Sequence, residues 1–402
     1  MSPDSWTAIG AAVILSANER SSVSVKTEEG ERDSGAGAAG EFPTEKSSFA
    51  TGNHSAAKEI YEIDPIRDPR WGVLVDSHPQ ASVFHSTKWL KALQCVYGYE
   101  PIVISSCPLG DRLTNGLVFC RVKSWLTGRR LISLPFSDHC EPLIHRSDEL
   151  DDMLLRMERY VDEDRWKYVE IRPISCEPGS HTRFGRVVKH CLHRLNLGLS
   201  SEQLFQNFHK DCIQRKIRRA ERENLKYEDG ASEELLQKFY RLLVMTRRRQ
   251  GLPPQPLNWF RGLIAAFGND LKIRVASKDG AAVASILTLS HKKSIVYKYG
   301  SSDVAFNNLG GTALLLWKTI QEGIDRGFEE LEMGRSEVAN LGLVAFKERW
   351  GASRSILSYW TYPRREAGPP SIWKKRLARH VVSTVPDVVV ETVGKLLYRH
   401  VG

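Results

Sequence analysis

The sequence predicts an α/β protein with mixed α+β sheets, built as two tandem domains behind a disordered N-terminal tail. An order of helix, short strands, helix and strand occurs twice along the chain, which favours two related domains over one sheet. Residues 16–57 consist largely of Ser, Gly, Ala, Glu and Lys, which cannot bury enough apolar surface to offset the entropy of ordering. We therefore expect a tail at 1–57, domains at 58–195 and 196–365, and a basic and apolar extension at 366–402.

Apolar spacing assigns the elements of the first domain. Residues 85–96 open with a Ser or Thr cap and place Trp89, Leu90, Leu93 and Val96 at helical intervals. Short apolar runs bounded by Gly, Asn and Asp are typical of strands in a meander. The predicted helices are His85–Val96 and Glu149–Val161, and the predicted strands are Pro101–Ser105, Gly116–Val122, Arg130–Leu134 and Tyr168–Arg172.

The same rules assign the second domain. Its predicted helices are Ser232–Arg249, Leu257–Phe267, Gly311–Gly327 and Leu341–Arg349, and its predicted strands are Leu225–Glu228, Leu271–Ala276, Ala282–Ser290, Ser294–Tyr299, Glu330–Met333 and Ser355–Tyr362. In the extension that follows, Pro386 interrupts any continuous helix because proline removes a backbone donor.

The charge and the cysteine content indicate which partners and which cellular compartment suit the protein. The 402 residues include 57 Lys and Arg against 48 Asp and Glu, a net charge of +9 that favours polyanionic partners such as phosphates, RNA or anionic lipid. The seven cysteines form no C-x-x-C pair, which is typical of reduced thiols in a cytosol. No apolar run reaches the ~20 residues needed to span a bilayer.

We therefore expect a cytoplasmic protein. The extension at 366–402 begins with the basic run Trp373–His380, so one option is a peripheral contact with the inner face of the membrane. The other option is that the extension packs against the second domain.

Several common catalytic and metal-binding patterns are absent from the sequence. It contains no G-x-S-x-G, H-E-x-x-H or P-loop, and its 12 histidines show no ligand spacing, so we expect no metal site. Residues Gly35–Gly40 match G-x-G-x-x-G, but both flanks are polar coil instead of a strand and a helix. Residues Ser137–Cys140 collect reactive side chains, yet neighbours in an extended chain point to opposite faces, which favours a structural loop.

A glycine pair opens a predicted helix in the second domain. In Phe306–Trp317 the backbone N–H groups at the helix start could cradle a phosphate or carboxylate. The candidate cofactor-binding residues are Asn308, Gly310, Gly311 and Thr312. The alternative is that the glycines only let the helix pack closely on the sheet.

Two polar clusters follow strands of the same domain. In Tyr297–Asp303, strand alternation places Tyr297 and Tyr299 on one face, where they could line a substrate groove, or be ordinary half-buried strand residues. After the strand that ends at Met333, Arg335 is a candidate catalytic and anion-binding residue and Ser336 a candidate substrate-binding residue, because such strand ends commonly face a ligand crevice.

A dense basic segment joins the two domains. Residues Lys210–Lys226 predict a helix whose cations suit the phosphates of a nucleotide, a lipid carrier or tRNA. Arg247–Arg249 adds a second basic patch at a helix end. A solvated charged face without a ligand is the alternative. The candidate substrate-binding cations are Arg215, Arg218 and Arg219.

Four segments together resemble the FemAB family of non-ribosomal peptidyl and aminoacyl transferases, which act on cell-wall precursors. They are Tyr297–Asp303, Gly334–Glu337, Leu341–Gly351 and the basic segment Lys210–Lys226. The similarity extends over roughly residues 71–362. The chain is also similar to BioF2-like acetyltransferases, whose members often accompany exopolysaccharide synthesis. The segment at Asn308–Ala313 partly resembles the pyrophosphate loop of GNAT acetyltransferases.

The resemblance implies two tandem GNAT-like domains and an acyltransferase. The donor would be a co-substrate, acyl-CoA or aminoacyl-tRNA, with no tightly bound cofactor. The acceptor would be an amine or hydroxyl on an anionic or lipid-linked precursor of the cell envelope or of a polysaccharide. The resemblance also implies that Lys347 stabilises charge during acyl transfer, whereas a solvated lysine at a helix end is the alternative.

Two alternatives to this function stay open at the level of the sequence. One is a non-catalytic protein with a GNAT-like fold that binds nucleic acid or another anionic polymer. The other is an enzyme in which only one half is active and the other half serves as a scaffold.

Overall fold

The structure, a computed structural model, describes residues 59–179, 181–364 and 386–401. The predicted tail, the Gly35–Gly40 segment and the basic run Trp373–His380 lie outside the described residues. The α-helices are α1 (Pro69–Ser77), α2 (Thr87–Tyr97), α3 (Ser147–Asp164), α4 (Ser201–Asn207), α5 (Arg215–Arg222), α6 (Glu233–Gln250), α7 (Leu257–Phe267), α8 (Gly311–Asp325), α9 (Leu341–Glu348) and α10 (Asp387–Val401).

The strands include every strand that the sequence predicted, together with two more, the first and the sixth. They are β1 (Tyr61–Ile63), β2 (Glu100–Ser105), β3 (Leu117–Ser124), β4 (Gly128–Ile132), β5 (Tyr168–Ile171), β6 (Gly185–Asn196), β7 (Lys226–Gly230), β8 (Leu271–Lys278), β9 (Ala281–His291), β10 (Ser294–Ser302), β11 (Glu330–Glu337) and β12 (Ser353–Tyr362). The mixed α/β class with two similar halves is confirmed.

The two halves share one sheet, so the expectation of separate sheets is wrong. The sheet has 12 strands in the order β1-β2-β3-β4-β5-β12-β6-β11-β10-β9-β8-β7. Each half contains an antiparallel meander that ends in a parallel pair, β4 with β5 and β10 with β11. A helix crosses over between the strands of each parallel pair, α3 in the first half and α8 in the second.

The sheet is continuous because the halves exchange their last strands. Strand β6, the last strand of the first half, pairs antiparallel with β11 of the second half. Strand β12, the last of the second half, pairs antiparallel with β5 of the first half. The exchanged strands also pair with each other, from Ser353 opposite Arg194 to Thr361 opposite Gly185. The predicted division between residues 195 and 196 therefore falls at the end of an exchanged strand.

Local sequence signals fix the helix ends as expected. The side chain of Ser86 accepts a hydrogen bond from the N–H of Trp89 at the start of α2, and Gly98 ends that helix with a left-handed φ of 70°. The side chain of Ser232 caps α6 in the same way, and Gly251 ends it at φ 70°. These caps satisfy backbone groups that the helix itself leaves unpaired.

Three apolar cores hold the helices on the sheet. The largest is shared by both halves and packs α1, α2, α6 and α7 against β2, β3, β8 and β9. Its centre contains Trp89 and Trp259, whose rings meet edge to face at 5.3 Å. A second core packs α3 on the other side of β2 and β3, and a third packs α4, α5 and α8 against β9, β10 and β11. The shared core fixes one half against the other.

Helix α10 begins directly after Pro386 and contacts both halves, not the second domain alone. The carbonyl of His400 accepts hydrogen bonds from Thr127 (2.8 Å) and Arg130 (2.7 Å) of the first half. Tyr398 donates to the carbonyl of Pro253 in the second half at 3.1 Å. Gly394 permits this approach, since a Cβ there would lie 2.2 Å from the Pro254 carbonyl oxygen. Within the described residues, no helix has the length and hydropathy needed to cross a membrane.

The exchanged strands predict that both halves unfold together. Trp360 on β12 is fully buried in the core of the first half. Trp360→Ala should lower the free energy of unfolding by roughly 3–5 kcal/mol and should shift one cooperative transition in scanning calorimetry, because β12 belongs to both halves. Trp125→Ala, at a tryptophan that is 81% exposed, is the matched control and should change stability by less than about 0.5 kcal/mol. Two separate transitions, with only one shifted, would contradict this prediction.

Candidate functional site

The parallel strands β10 and β11 diverge partway along their length. They pair only from Ser294 opposite Glu330 to Val296 opposite Glu332, although both strands continue beyond. Each strand carries a bulge just past that point, β10 at Tyr297–Tyr299 and β11 at Glu332–Arg335. Bulges re-aim side chains and are common beside active sites. The divergence therefore opens a gap between the strands into which rotated side chains can reach.

The bulge in β10 overturns the predicted alternation of its side chains. Tyr297 packs against the core that contains α8, whereas Tyr299 is buried in the core shared by both halves, so the two tyrosines lie on opposite faces. The ammonium of Lys298 lies over the rings of Phe84 (5.1 Å) and Tyr299 (5.8 Å). The extra residue of the bulge thus places Lys298 beside Tyr299. The prediction that both tyrosines line a substrate groove on one face is therefore wrong.

Lys298 and Arg335 converge on one carboxylate from the other half of the chain. Lys298 Nζ lies 3.0 Å from Asp138 Oδ2, and Arg335 Nε lies 3.8 Å from Asp138 Oδ1. Asp138 belongs to the loop between β4 and α3, so the first half supplies the negative charge and the second half both cations. The side chains of Lys298 and Asp138 are only 6% and 11% exposed, which makes this ion pair almost dry.

The charges of this cluster depend on one another. Burial opposes the charge of Asp138, but Lys298 and Arg335 outweigh that effect and hold the pKa of Asp138 below its ordinary value. Burial lowers the pKa of Lys298 in spite of the carboxylate beside it. Burial would also lower the pKa of Arg335, yet Tyr359 and Asp138 raise it. A buried charge of this kind is stable only while its partner is present.

Hydrogen bonds hold the Asp138 loop against the sheet. The Tyr359 hydroxyl on β12 accepts from Arg335 Nη1 at 2.7 Å and donates to the carbonyl of Asp138 at 2.7 Å. Arg172, at the end of β5, donates to the carbonyls of Leu134 (2.8 Å) and Ser137 (3.2 Å). The loop therefore rests on the exchanged strand β12 and on β5 of its own half.

Lys347 enters the same region from α9. Its side chain is 2% exposed, and Nζ donates to the carbonyls of Gly334 (2.6 Å) and Arg335 (3.3 Å). Burial lowers the pKa of Lys347 to about 8, although the nearby Asp138 carboxylate raises it. The alternative of a solvated lysine at a helix end is therefore wrong. The structure brings the predicted pair Lys347 and Arg335 together.

Gly334 permits the close approach of the Tyr297 carbonyl and the Asp138 carboxylate to β11. Its φ is 69°, and a Cβ there would lie 3.2 Å from the Tyr297 carbonyl oxygen and 3.4 Å from Asp138 Oδ2. Any other residue would crowd the gap between the strands in a strained backbone conformation. The next predicted residue, Ser336, is 2% exposed, and its hydroxyl has no hydrogen-bond partner among the described residues. A buried hydroxyl without a partner is uncommon, and the role of Ser336 in substrate binding stays a prediction.

Several members of this cluster were not predicted from the sequence. Asp138 and His139 lie in the Ser137–Cys140 segment, which was interpreted as a structural loop. His139 Nε2 lies 2.8 Å from Glu332 Oε2, and both side chains are buried. A signal was present: an acid and a histidine stand between apolar residues in a segment that carries no helix or strand pattern. The sequence alone does not show that this loop lies against β10 and β11.

The two glycines at the start of α8 are required by packing. Gly310 has φ 81°, and a Cβ there would lie 2.2 Å from the carbonyl oxygen of Lys216 on α5. A Cβ on Gly311 would lie 3.0 Å from the Ala284 Cβ. The packing alternative therefore accounts for both glycines. Asn308 is exposed and Thr312 is partly exposed at the same helix start, and their role in an anion cradle stays a prediction.

The basic residues lie around this end of β10. Contact between Gly310 and Lys216 places α5 beside the start of α8, and the candidate cations on α5 are exposed. The Thr246 hydroxyl, near the end of α6, is 3.4 Å from the Ser302 carbonyl, so the Arg247–Arg249 patch begins at the end of the same strand. Three of the exposed candidates are Arg215, Arg218 and Arg219. Their role in substrate binding stays a prediction.

Comparison with known proteins identifies the part of the chain that contains these residues. The family model described as "Acetyltransferase (GNAT) domain" matches residues 208–348, from the segment before α5 to the end of α9. A relative named UDP-N-acetylmuramoylpentapeptide-lysine N(6)-alanyltransferase, from Weissella viridescens, is 26% identical over 135 residues. That match covers 33% of this chain and 40% of the relative.

A solved structure resembles a larger part of the chain. The crystal structure of FemX matches with a TM-score of 0.58 and 13% sequence identity, and the match covers 75% of this chain and 96% of FemX. At this identity the likeness concerns the fold. Residues 208–348 therefore match a GNAT acetyltransferase domain, and the chain resembles FemX in fold.

Proposed function

We propose that this protein is an acyltransferase whose reaction takes place where β10 and β11 diverge. The observation that carries the proposal is the cluster of buried Lys347 and Lys298 with half-buried Arg335, three residues of the GNAT match, near the carboxylate of Asp138 from the first half. Burying two lysine ammonium groups near one carboxylate is costly for folding, and perturbed charges in a gap of the sheet are typical of functional sites. A role in binding a negative charge that develops during a reaction accounts for this cost.

The geometry suits acyl transfer. When an amine or hydroxyl attacks the carbonyl of an ester or thioester, a new bond forms to the carbonyl carbon and the oxygen becomes negative. A preorganised cation in a dry site stabilises that oxyanion without reorganisation of solvent. Lys347 fits this role because two carbonyls fix its ammonium beside Arg335. The bond to the leaving group then breaks, and the proton of the acceptor passes to that group, so substrate-assisted transfer needs no separate base.

The donor would be an acyl-CoA or an aminoacyl-tRNA used as co-substrate. Both present a reactive carbonyl together with phosphates, and the exposed cations of α5 suit either kind of phosphate. The acceptor would be an anionic or lipid-linked precursor of the cell envelope or of a polysaccharide. The name of the Weissella viridescens relative, an alanyltransferase on a muramoylpentapeptide, favours an aminoacyl donor and a cell-wall acceptor.

The enzymatic function is favoured over a non-catalytic polymer binder. The exposed cations of α5 would suit a binder, but the buried Lys347 and Lys298 would have no role in binding a polymer. The cluster also bears on the alternative of a single active half. The reacting centre would lie in the second half, and the first half would contribute Asp138 as a positioning residue.

The role of Lys347 predicts a defined dependence on pH. With a pKa of about 8, its ammonium is charged below that pH and loses the charge above it. We expect kcat/KM to fall as the pH rises through about 8. Lys347→Met should lower kcat/KM at least ~100-fold, and Lys347→Arg should keep part of the activity while moving the alkaline fall to higher pH. Transfer of labelled alanine from alanyl-tRNA, and release of thiol from acetyl-CoA, measure these rates.

Lys91→Met removes an exposed lysine on α2 and is the matched control, with unchanged activity expected. Full activity of Lys347→Met with an intact fold would rule out a catalytic role for Lys347.

The buried ion pair predicts a non-additive effect on stability. Asp138→Asn leaves Lys298 and Arg335 without their carboxylate and should cost roughly 3–5 kcal/mol of folding free energy. In the double variant Asp138→Asn/Lys298→Met the loss should be several kcal/mol smaller than the sum of the single losses, because no unpaired ammonium remains. Urea denaturation of the four proteins measures this cycle. If the loss of the double variant equals the sum of the single losses to within about 0.5 kcal/mol, the pair is not coupled.

The basic surface predicts an effect on binding more than on turnover. Arg215→Glu/Arg219→Glu, at two exposed positions of α5, should raise KM for the donor roughly tenfold or more, the effect of about 1.4 kcal/mol of lost attraction. The increase in KM should shrink at raised salt, while kcat stays within a factor of two or so. Arg67→Glu, an exposed position outside the GNAT domain, is the control. An unchanged KM for both donors would exclude this surface from donor binding.

A further inference from the structure

The tip of the β3–β4 hairpin exposes a large aromatic side chain. Trp125 is 81% exposed and Leu126 is 37% exposed, between the end of β3 at Ser124 and the start of β4 at Gly128. A tryptophan this exposed contributes little to folding. Together the two side chains form an apolar projection at the end of a rigid hairpin.

The C-terminal helix α10 presents a matching face beside this hairpin. Its inward side contains Val390, Gly394 and Leu397, which are buried. Lys395, Leu396 and Arg399 are exposed on the outward side, and Leu396 is 61% exposed. The spacing of three and four residues aligns these three side chains along one stripe of the helix.

Hydrogen bonds through His400 join the hairpin and the helix into one surface. His400 Nδ1 lies 3.0 Å from the Ser124 hydroxyl, and the His400 ring lies 5.8 Å from the Trp125 ring. Leu396 is one helical turn before His400, so the two side chains lie on neighbouring parts of the α10 surface. We call the joined surface of Trp125, Leu126 and the outward face of α10 the tip surface.

Cations surround the apolar part of the tip surface. The Arg129 guanidinium lies over the Trp166 ring at 4.5 Å, close to the hairpin turn. Lys167 Nζ donates to the Thr127 carbonyl at 3.3 Å, in the turn itself. Lys395 and Arg399 add two further charges from α10. Three exposed apolar side chains are thus combined with four cations.

We propose that the tip surface docks on a lipid bilayer that carries anionic headgroups. Tryptophan favours the boundary between hydrocarbon and water, where its ring is buried and its N–H stays hydrated. Lysine and arginine near a negatively charged leaflet each add about 1 kcal/mol of attraction. Three apolar side chains give only a small area for a protein partner, and a second copy of this chain would bring four like charges face to face. This inference is independent of the transfer reaction.

Sedimentation with vesicles tests the proposal on the full chain. The protein should bind vesicles made of equal parts of phosphatidylcholine and phosphatidylglycerol. It should bind vesicles of pure phosphatidylcholine at least ~10-fold more weakly. Raised salt should release it from both kinds of vesicle. Trp125→Ser/Leu396→Ser and Lys395→Glu/Arg399→Glu should each weaken binding to the mixed vesicles ~10-fold or more.

Leu109→Ser is the matched control, because Leu109 is 67% exposed and lies in the loop at the opposite end of β3. It should bind like the unchanged protein. Equal thermal unfolding of all variants establishes that the fold is intact. Wild-type protein that stays in the supernatant, or tip-surface variants that still bind fully, would overturn the proposal. So would a dimer that these variants convert to a monomer in light scattering. None of these readouts uses the transfer reaction, so the proposed function can fail or hold separately.

Discussion

The ion pairs of Asp138 are the interaction on which the candidate site depends. This carboxylate, from the first half, is the counter-charge for Lys298 and Arg335 of the second half. It also raises the pKa of Lys347, which burial lowers. Without it, the buried Lys298 would lose its ion-pair partner, and a buried charge is strongly destabilising when unpaired. The cluster therefore couples the relative position of the halves to the charge available for chemistry.

The exchange of β6 and β12 makes that coupling rigid. Tyr359 on β12 links Arg335 to the Asp138 loop, while the same strand pairs with β5 of the first half. A site built in this way needs both halves even if the reacting groups belong to one of them. This is a physical reason for a tandem arrangement: one half holds the cations, and the other holds the carboxylate that keeps them charged and in place. The core around Trp89 and Trp259 provides the stiffness.

The sequence could predict the elements but not their arrangement. Helices α2 and α6 have strong caps and regular apolar spacing, and both were found within two residues of their ends. Strand β6 was missed because its buried polar residues, such as His190 and His193, break the apolar alternation. The bulge at Tyr297–Tyr299 has no local signal, since its extra residue is defined only by pairing with β9. Lys347 was found through family resemblance and Arg335 through its position after a strand, whereas Asp138 depends on a contact between distant segments, which one sequence does not reveal.

The pKa of Lys347, measured in the unchanged protein and in Asp138→Asn, shows directly whether the carboxylate of the first half stabilises this buried cation. Titration of the lysine side-chain resonances by NMR needs no substrate, and Lys347→Arg assigns the signal. We expect one lysine that titrates near pH 8. Its signal should be absent from Lys347→Arg and shifted to lower pH in Asp138→Asn, because the carboxylate stabilises the ammonium. A Lys347 signal that titrates near the ordinary ~10.4, or that does not move when Asp138 loses its charge, would contradict a buried cation held by the other half of the chain.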